Sequence, residues 1–172
     1  MTDRETDDRR VRRTRRAIFD AFRDLVLSRR YDEIRIGDIL DAADIGKSTF
    51  YEHFSNKDDV LLSSIEPLFD VLVDAANGDV ERDRLLFVLT HFWEQRAMAR
   101  VIFGPELYFK LARKLSDMIE QRIATNDNVV PSRLIAVERA NAQLSAIRAW
   151  LTGAFQYDVQ AFATYLARQD GT

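Results

Sequence analysis

The stretch that decides the fold runs over Ile34–Asp59 and reads IRIGDILDAADIGKSTFYEHFSNKDD. Its first apolar residues recur at intervals of three and four, which predicts a short amphipathic helix that ends near Ala43. We expect Asp44 to take a left-handed backbone at the turn, because Asp tolerates that conformation better than most residues do. Gly46 is an acceptable N-cap for a second helix over Lys47–Phe54. The stretch therefore predicts two short helices joined by a tight turn.

The second helix separates its buried aromatic residues from its exposed polar ones. Phe50 and Phe54 lie four residues apart, so they share one face and are expected to be buried together. The side chains that fall largely off that face are Lys47, Ser48, Thr49 and Tyr51. Two short helices of which the second leaves a polar face open form a helix-turn-helix, the motif that places one helix in a DNA major groove.

The same part of the chain resembles the DNA-binding domain of TetR-family transcriptional regulators, over roughly residues 12–62. The positions that match the family pattern in register are Ile34, Asp38, Ile39, Ala43, Thr49, Phe50, Tyr51, His53, Phe54, Asn56, Lys57, Asp58 and Val60. Arg35, Asp44 and Gly46 replace a capping Thr, a turn Gly and a capping Ser, at an expected cost of at most about 1 kcal/mol each. Glu52 also departs from the pattern, since it places an acid in the reading helix. It either points away from phosphates or accepts a hydrogen bond from a cytosine amino group.

The residue types, together with the resemblance, predict which side chains meet DNA. Side chains at the start of the reading helix reach base edges first, and those at its end meet backbone phosphate. An acid-free block of arginines over residues 9–16 is expected to meet phosphates or a minor groove; the alternative is a solvated arm. The full set of predicted DNA-binding residues is Arg12, Arg35, Lys47, Ser48, Thr49, Tyr51, His53 and Lys57.

Composition excludes several other classes of protein. The 172 residues are 47% hydrophobic and 31% charged, with only 6 Gly and 3 Pro and no alternating strand pattern, which predicts an all-α globular protein. No Cys is present, and the two His are far apart, so no metal site is expected. The sequence shows no nucleophile–base set and no phosphate-binding loop, so we do not expect an enzyme or a cofactor. The polar N-terminus and the lack of a long apolar run predict a cytoplasmic protein with no membrane contact.

The all-α chain is expected to divide into an N-terminal three-helix helix-turn-helix domain and a C-terminal helical effector and dimerisation domain. Residues 1–8 are predicted to be a disordered arm, residues 9–62 the DNA-binding domain, and residues 63–172 the ligand-binding and dimerisation domain. Apolar periodicity and turn signals predict helices over about 10–28, 56–76, 80–96, 97–103, 105–125, 132–152 and 155–168, with Pro67 as a kink.

The C-terminal domain carries two further predicted sites. Large apolar residues with a few polar groups among them would suit an effector pocket; the alternative is ordinary core packing. The pocket candidates are His91, Phe92, Trp93, Gln95, Phe103, Tyr108 and Met118. The apolar seams of the last two helices suit helix–helix packing, either with a partner or with the protein's own core. The resemblance implies a dimer through them, with Val137, Leu144, Ile147, Leu151, Phe155, Val159 and Phe162 at the interface.

These features predict a homodimeric, sequence-specific regulator that binds double-stranded DNA at a palindromic operator. The leading hypothesis is a repressor released from its operator by a small-molecule effector. The alternative is a TetR-fold co-regulator or interaction module without such an effector.

Overall fold

The computed structural model describes residues 2–123 and 130–168. Those residues form nine α-helices and one 3-10 turn, with no strand among them, which confirms the all-α prediction. The chain divides into two compact units, residues 1–65 and residues 66–172. The boundary falls inside a helix, three residues beyond the division at residue 62 that the sequence predicted.

The first unit contains α1 (Thr2–Ser28), the 3-10 turn (Tyr31–Glu33), α2 (Ile36–Ala43), α3 (Lys47–His53) and the beginning of α4 (Lys57–Asn77). Every one of these elements contributes a side chain to a single apolar core. The core residues with the least exposure include Ile18, Phe22, Ile34, Ile39, Phe50, Phe54, Val60 and Leu61. Helices as short as α2 and α3 depend on such packing, because their own hydrogen bonds are too few to hold them in water.

The start of α1 differs from the sequence prediction. Residues 1–8 were expected to be disordered and the helix to begin near Arg10, whereas α1 begins at Thr2. Ion pairs between residues four apart stabilise such a helix, and Asp8, just before the arginine block, is placed to form them. One such pair joins the Arg12 guanidinium to the Asp8 carboxylate at 2.9 Å.

The second unit contains the rest of α4, followed by α5 (Arg82–Glu94), α6 (Arg96–Ile102), α7 (Pro105–Arg122), α8 (Ser132–Thr152) and α9 (Val159–Leu166). The bounds of α8 coincide with the prediction, and Gly153 ends that helix with φ of 79°. Helix α4 continues through Pro67. The predicted extension of α7 to residue 125 lies partly outside the described residues.

The last helix begins later than the sequence predicted. Its start was expected at Phe155, but α9 begins at Val159. The Asp158 carboxylate accepts hydrogen bonds from the backbone N–H groups of Gln160 at 3.0 Å and Ala161 at 2.9 Å, which makes Asp158 the N-cap. Phe155 therefore belongs to the connection between α8 and α9.

Aromatic packing and ion pairs hold the second unit together. The buried Trp150 ring lies 4.9 Å from both the Trp93 and the Phe162 rings, measured between centroids. The Arg122 guanidinium pairs with the Asp70 and Asp74 carboxylates at 2.8 Å each, which ties α7 to α4. Within the two described ranges, each helix is too short or too polar to cross a membrane.

Candidate nucleic-acid interface

The turn between α2 and α3 has the geometry that the sequence predicted. Asp44 adopts a left-handed backbone with φ of 51° and ψ of 51°, and the Ile45 N–H donates to the Leu40 carbonyl oxygen at 3.1 Å. Gly46 then returns the chain to an extended conformation with φ of −75° and ψ of 156°, as the N-cap of α3. The prediction of a left-handed Asp44 is confirmed, and the turn fixes the direction in which α3 leaves α2.

Helix α2 is capped in a way that compensates for the unusual Arg35. A guanidinium has only donors, so the Arg35 side chain cannot accept a hydrogen bond from the first turn. Instead, the Asp38 carboxylate accepts a hydrogen bond from the Arg35 backbone N–H at 2.7 Å. The same carboxylate forms an ion pair with the Arg29 guanidinium, with 3.2 Å between nitrogen and oxygen. The helix start is therefore stabilised by Asp38, which leaves the Arg35 side chain exposed.

Two buried aromatic residues anchor α3. Phe50 is 0% exposed and Phe54 is 2% exposed, and their ring centroids lie 6.0 Å apart. The Phe54 ring also lies 5.4 Å from the Phe19 ring of α1. The Arg15 guanidinium stands 4.5 Å above the centroid of Phe54, a distance that suits a cation–π contact. Because both anchors lie on one face of α3, the rotation of the helix about its axis is fixed.

The opposite side of α3 is open to solvent. Lys47, Ser48 and Glu52 are exposed, and Tyr51 is 48% exposed. Thr49 and His53 are half-buried, which reduces the surface that each can offer to DNA. Lys47, Ser48 and Tyr51 therefore lie on the exposed side of α3, together with Glu52.

The Lys57 ammonium is hydrogen-bonded within the first unit, and its contact with backbone phosphate stays a prediction. Its Nζ donates to the carbonyl oxygens of Tyr31 at 2.6 Å, Ile34 at 2.8 Å and Asp32 at 3.4 Å. The ammonium also lies 4.5 Å from the centroid of the Tyr31 ring. An ammonium has three N–H donors, and the carbonyl oxygens of two residues of the 3-10 turn and of Ile34, which follows the turn, lie within hydrogen-bonding distance. Sequence spacing could not reveal this, because the partners lie more than twenty residues away.

The residues around Lys57 complete a clamp between the 3-10 turn and the start of α4. The Tyr31 hydroxyl donates a hydrogen bond to the Asp58 carboxylate. Burial of the Tyr31 hydroxyl, then that hydrogen bond and the Asp58 charge, raises the pKa of Tyr31 well above its usual value. The Asn56 side chain accepts from the Asp59 N–H, and the Asp59 carboxylate accepts from the Ser55 N–H, both at 2.9 Å. Asn56 therefore caps α4.

The arginine block lies on α1 with several side chains exposed. The exposed members include Arg9, Arg12, Arg13 and Arg16. The ion pair between Arg12 and Asp8 joins side chains that are 69% and 61% exposed, so it contributes little free energy. Such a pair exchanges readily for a phosphate group, and Arg12 stays a predicted DNA contact.

The residues predicted to line an effector pocket are divided between the core and the surface. Phe92 and Phe103 are buried with ring centroids 5.2 Å apart, whereas His91, Trp93 and Gln95 are exposed. Tyr108 and Met118 are half-buried, and the Tyr108 hydroxyl lies 2.9 Å from the Ser145 hydroxyl. Phe92 and Phe103 pack as core, and the exposed His91 ring lies 6.4 Å from the Phe92 ring. A groove of about 830 Å³ lies elsewhere in this unit, between the end of α4, α8 and α9.

Most of the predicted dimer residues face the protein's own core. Leu144, Ile147, Leu151 and Phe162 are at most 1% exposed within the single chain, which corrects their assignment to the interface. Val137 is 37% exposed and Phe155 is 39% exposed, and Val159 is half-buried, so these three remain candidates. The 3-4 spacing identified a helix–helix seam, but spacing alone cannot say which helix fills it.

The tight turn between α2 and α3 and the exposed face of α3 have the geometry of a helix-turn-helix DNA-binding motif. Residues 18–63 match the family of bacterial regulatory proteins called the tetR family. Over these residues the chain carries a DNA-binding domain of the TetR family.

Two curated relatives agree with this assignment. The HTH-type dhaKLM operon transcriptional activator DhaS of Lactococcus lactis subsp. lactis is 33% identical over 99 residues, which cover 56% of this chain and 52% of that protein. The HTH-type transcriptional regulator YxbF of Bacillus subtilis is 38% identical over 68 residues, covering 39% of this chain and 18% of that protein. The chain therefore spans about half or less of the length of these relatives.

Solved structures share the fold along nearly the whole chain. A TetR transcriptional regulator from Streptococcus agalactiae 2603V has a TM-score of 0.58 at 21% identity, covering 96% of this chain and 97% of that one. The dihydroxyacetone kinase operon activator DhaS has a TM-score of 0.55 at 22% identity, covering 89% of this chain and 91% of that one. The fold that this chain shares with these two structures therefore includes the second unit.

Proposed function

We propose that the protein is a cytoplasmic homodimer that binds a palindromic operator in double-stranded DNA and represses transcription until a small-molecule effector releases it. The observation that carries the proposal is the exposed face of α3, where Lys47 and Ser48 begin a helix held by the buried Phe50 and Phe54. Residues at the start of a reading helix contact base edges first. The exposed arginines of α1 supply positive charge in the same unit for phosphate contacts.

A single substitution tests the DNA contact. Lys47→Ala should weaken operator binding about 5- to 150-fold, because a specific base or phosphate contact is worth about 1–3 kcal/mol. Arg113→Ala is the matched control, since it removes one exposed positive charge from α7 in the other unit. The operator is first obtained by selection from random duplex DNA, and affinity is then measured by fluorescence anisotropy. Equal affinity of the Lys47 variant and the parent would contradict the role of Lys47.

The dimer is proposed to use the apolar side chains that α8 and α9 leave exposed. Leu134 is 58% exposed and Val137 is 37% exposed on α8, and Tyr165 is 54% exposed on α9. One helix-turn-helix covers only a few base pairs, so a palindromic site needs two copies about 34–36 Å apart. These exposed residues replace the buried set that the sequence suggested.

Sedimentation tests the dimer directly. Wild-type protein should sediment as a dimer at micromolar concentration, and Val137→Glu should shift it toward the monomer by placing a charge in the interface. Phe87→Glu is the control, because Phe87 is an exposed apolar residue on α5, 69% exposed. A wild-type protein that sediments as a folded monomer would overturn this part of the proposal.

The second candidate function is a co-regulator or interaction module without a small-molecule effector. The division of the expected pocket residues between core and surface favours it. Native mass spectrometry of the protein purified from its own host separates the two, since a bound small molecule supports the effector and its consistent absence supports the module. The relative DhaS is named an activator, so a reporter gene behind the selected operator must also establish the sign of regulation. Lower expression with the protein present supports repression.

A further inference from the structure

Glu52 lies at the centre of the exposed face of α3. A residue two positions away on an α-helix lies about 200° round the axis, so Glu52 is within about 20° of the point opposite Phe50. Phe50 is buried, and therefore the Glu52 side chain points away from the core. It shares its face with Ser48, one turn earlier, and both side chains are exposed.

The Glu52 carboxylate is free of protein partners in the described part of the chain. Several other acids of the first unit are engaged: Asp20 pairs with Arg23, Asp38 pairs with Arg29, and the Asp59 carboxylate accepts a hydrogen bond from the Ser55 N–H. No hydrogen bond or ion pair engages Glu52 among residues 8–123 and 130–168. The structure of the unit therefore does not need this carboxylate, and its charge is available to a ligand of α3.

A carboxylate on the reading face selects strongly among base pairs. An ionised carboxylate is only an acceptor, and the negative phosphates on both sides of the groove disfavour it in general. In the major groove, guanine presents two acceptors and thymine presents an acceptor and a methyl group. Adenine presents a donor beside an acceptor, whereas cytosine presents only the N4 amino donor. Cytosine is therefore the base that suits a carboxylate best, because its major-groove edge offers a hydrogen-bond donor and no acceptor.

We infer that Glu52 is a specificity-determining residue of this regulator, which accepts a hydrogen bond from the N4 amino group of a cytosine in each operator half-site. The inference rests on the proposed function, because it takes α3 as the helix that enters the major groove. It adds the chemical identity of one base pair in the operator. It also gives a reason for an acid in a helix that must approach phosphates.

Selection from random duplex DNA tests the inference in three proteins: the full-length wild type, Glu52→Gln and Glu33→Gln. Wild type should select a C·G pair at one position of each half-site. In Glu52→Gln, the preference for C·G over other base pairs at that position should fall about 5- to 150-fold. The selection should shift toward adenine, whose donor and acceptor match a Gln amide. Glu33→Gln is the matched control, because it makes the same change at an exposed acid in the 3-10 turn. It should keep the wild-type preference.

A modified operator tests the hydrogen bond itself. Placing an N4-methyl group on the selected cytosine replaces the major-groove N–H with carbon and keeps the base pair. Wild-type affinity should fall about 5- to 150-fold on this duplex, whereas Glu52→Gln should discriminate less between methylated and unmethylated DNA. Circular dichroism should give the same helix content for all three proteins, since neither exposed acid is part of the core.

The outcomes distinguish a failure of the proposed DNA-binding function from a failure of the proposed role of Glu52. Wild-type protein that selects no DNA sequence would overturn the proposed function, and the Glu52 inference with it. Wild-type protein that selects an operator with the same preference as Glu52→Gln would overturn the Glu52 inference alone. Selective loss at one C·G pair, with the Glu33 control unchanged, would support it.

Discussion

Replacing Lys57 with Met removes the ammonium and keeps an unbranched apolar side chain of similar length. The Tyr31 and Ile34 carbonyl oxygens lose hydrogen bonds of 2.6 and 2.8 Å, and the Asp32 carbonyl oxygen loses a longer one. A hydrogen bond from a charged group contributes about 1.5–3 kcal/mol, but Lys57 is only half-buried and water can replace part of each bond. We therefore expect the free energy of unfolding to fall by about 2–3 kcal/mol.

The matched substitution at Lys47 should behave in the opposite way. Lys47 is exposed at the start of α3 and no described partner contacts its side chain, so Lys47→Met should change stability by less than about 0.5 kcal/mol. It should weaken operator binding, however. Urea unfolding followed by circular dichroism measures stability, and thermal unfolding should show a drop of about 4–12 °C for the Lys57 variant alone.

The salt dependence of DNA binding provides a second test of the Lys57→Met and Lys47→Met substitutions. Removing a side chain that binds a DNA phosphate lowers the slope of log affinity against log salt concentration by about one unit. Lys57→Met should leave that slope unchanged in protein that is still folded. A Lys57 variant with wild-type stability and a slope lowered by one unit would refute the structural role and restore the phosphate contact that the sequence suggested.

Three further substitutions follow from the geometry. Gly46→Ser should raise stability by a few tenths of a kcal/mol, about 0.3 in urea unfolding, because a Cβ there meets nothing within 4 Å and the hydroxyl can cap α3. Asp44→Gly should also stabilise, by about 0.5–1 kcal/mol in the same assay, since Asp44 holds φ of 51°. Leu144→Arg should unfold the second unit rather than split a dimer, because Leu144 is 0% exposed; the soluble fraction and the helix signal should both fall. A soluble, folded Leu144 variant would instead place Leu144 at an interface.

Local patterns in the sequence determined most of the helix-turn-helix. The 3-4 spacing of Phe50 and Phe54, the tolerance of Asp44 for a left-handed backbone and the capping residues before α4 all act over a few positions. Their consequences are therefore visible in a sequence window. The structure gives α8 the bounds that the sequence predicted, with Pro131 before its first residue and a left-handed Gly153 after its last.

Tertiary structure decided what the side chains of those helices touch. The sequence predicts that Lys57 binds phosphate, whereas in the structure its ammonium donates hydrogen bonds to carbonyl oxygens more than twenty residues away. Leu144 and Phe162 lie on apolar seams, and only the packing of the chain shows that their own protomer buries them. Periodicity identifies an apolar face but not its partner, because the hydrophobic effect has no direction and any apolar surface can satisfy it. Hydrogen bonds and burial between distant residues settle that choice, and they exist only in the folded chain.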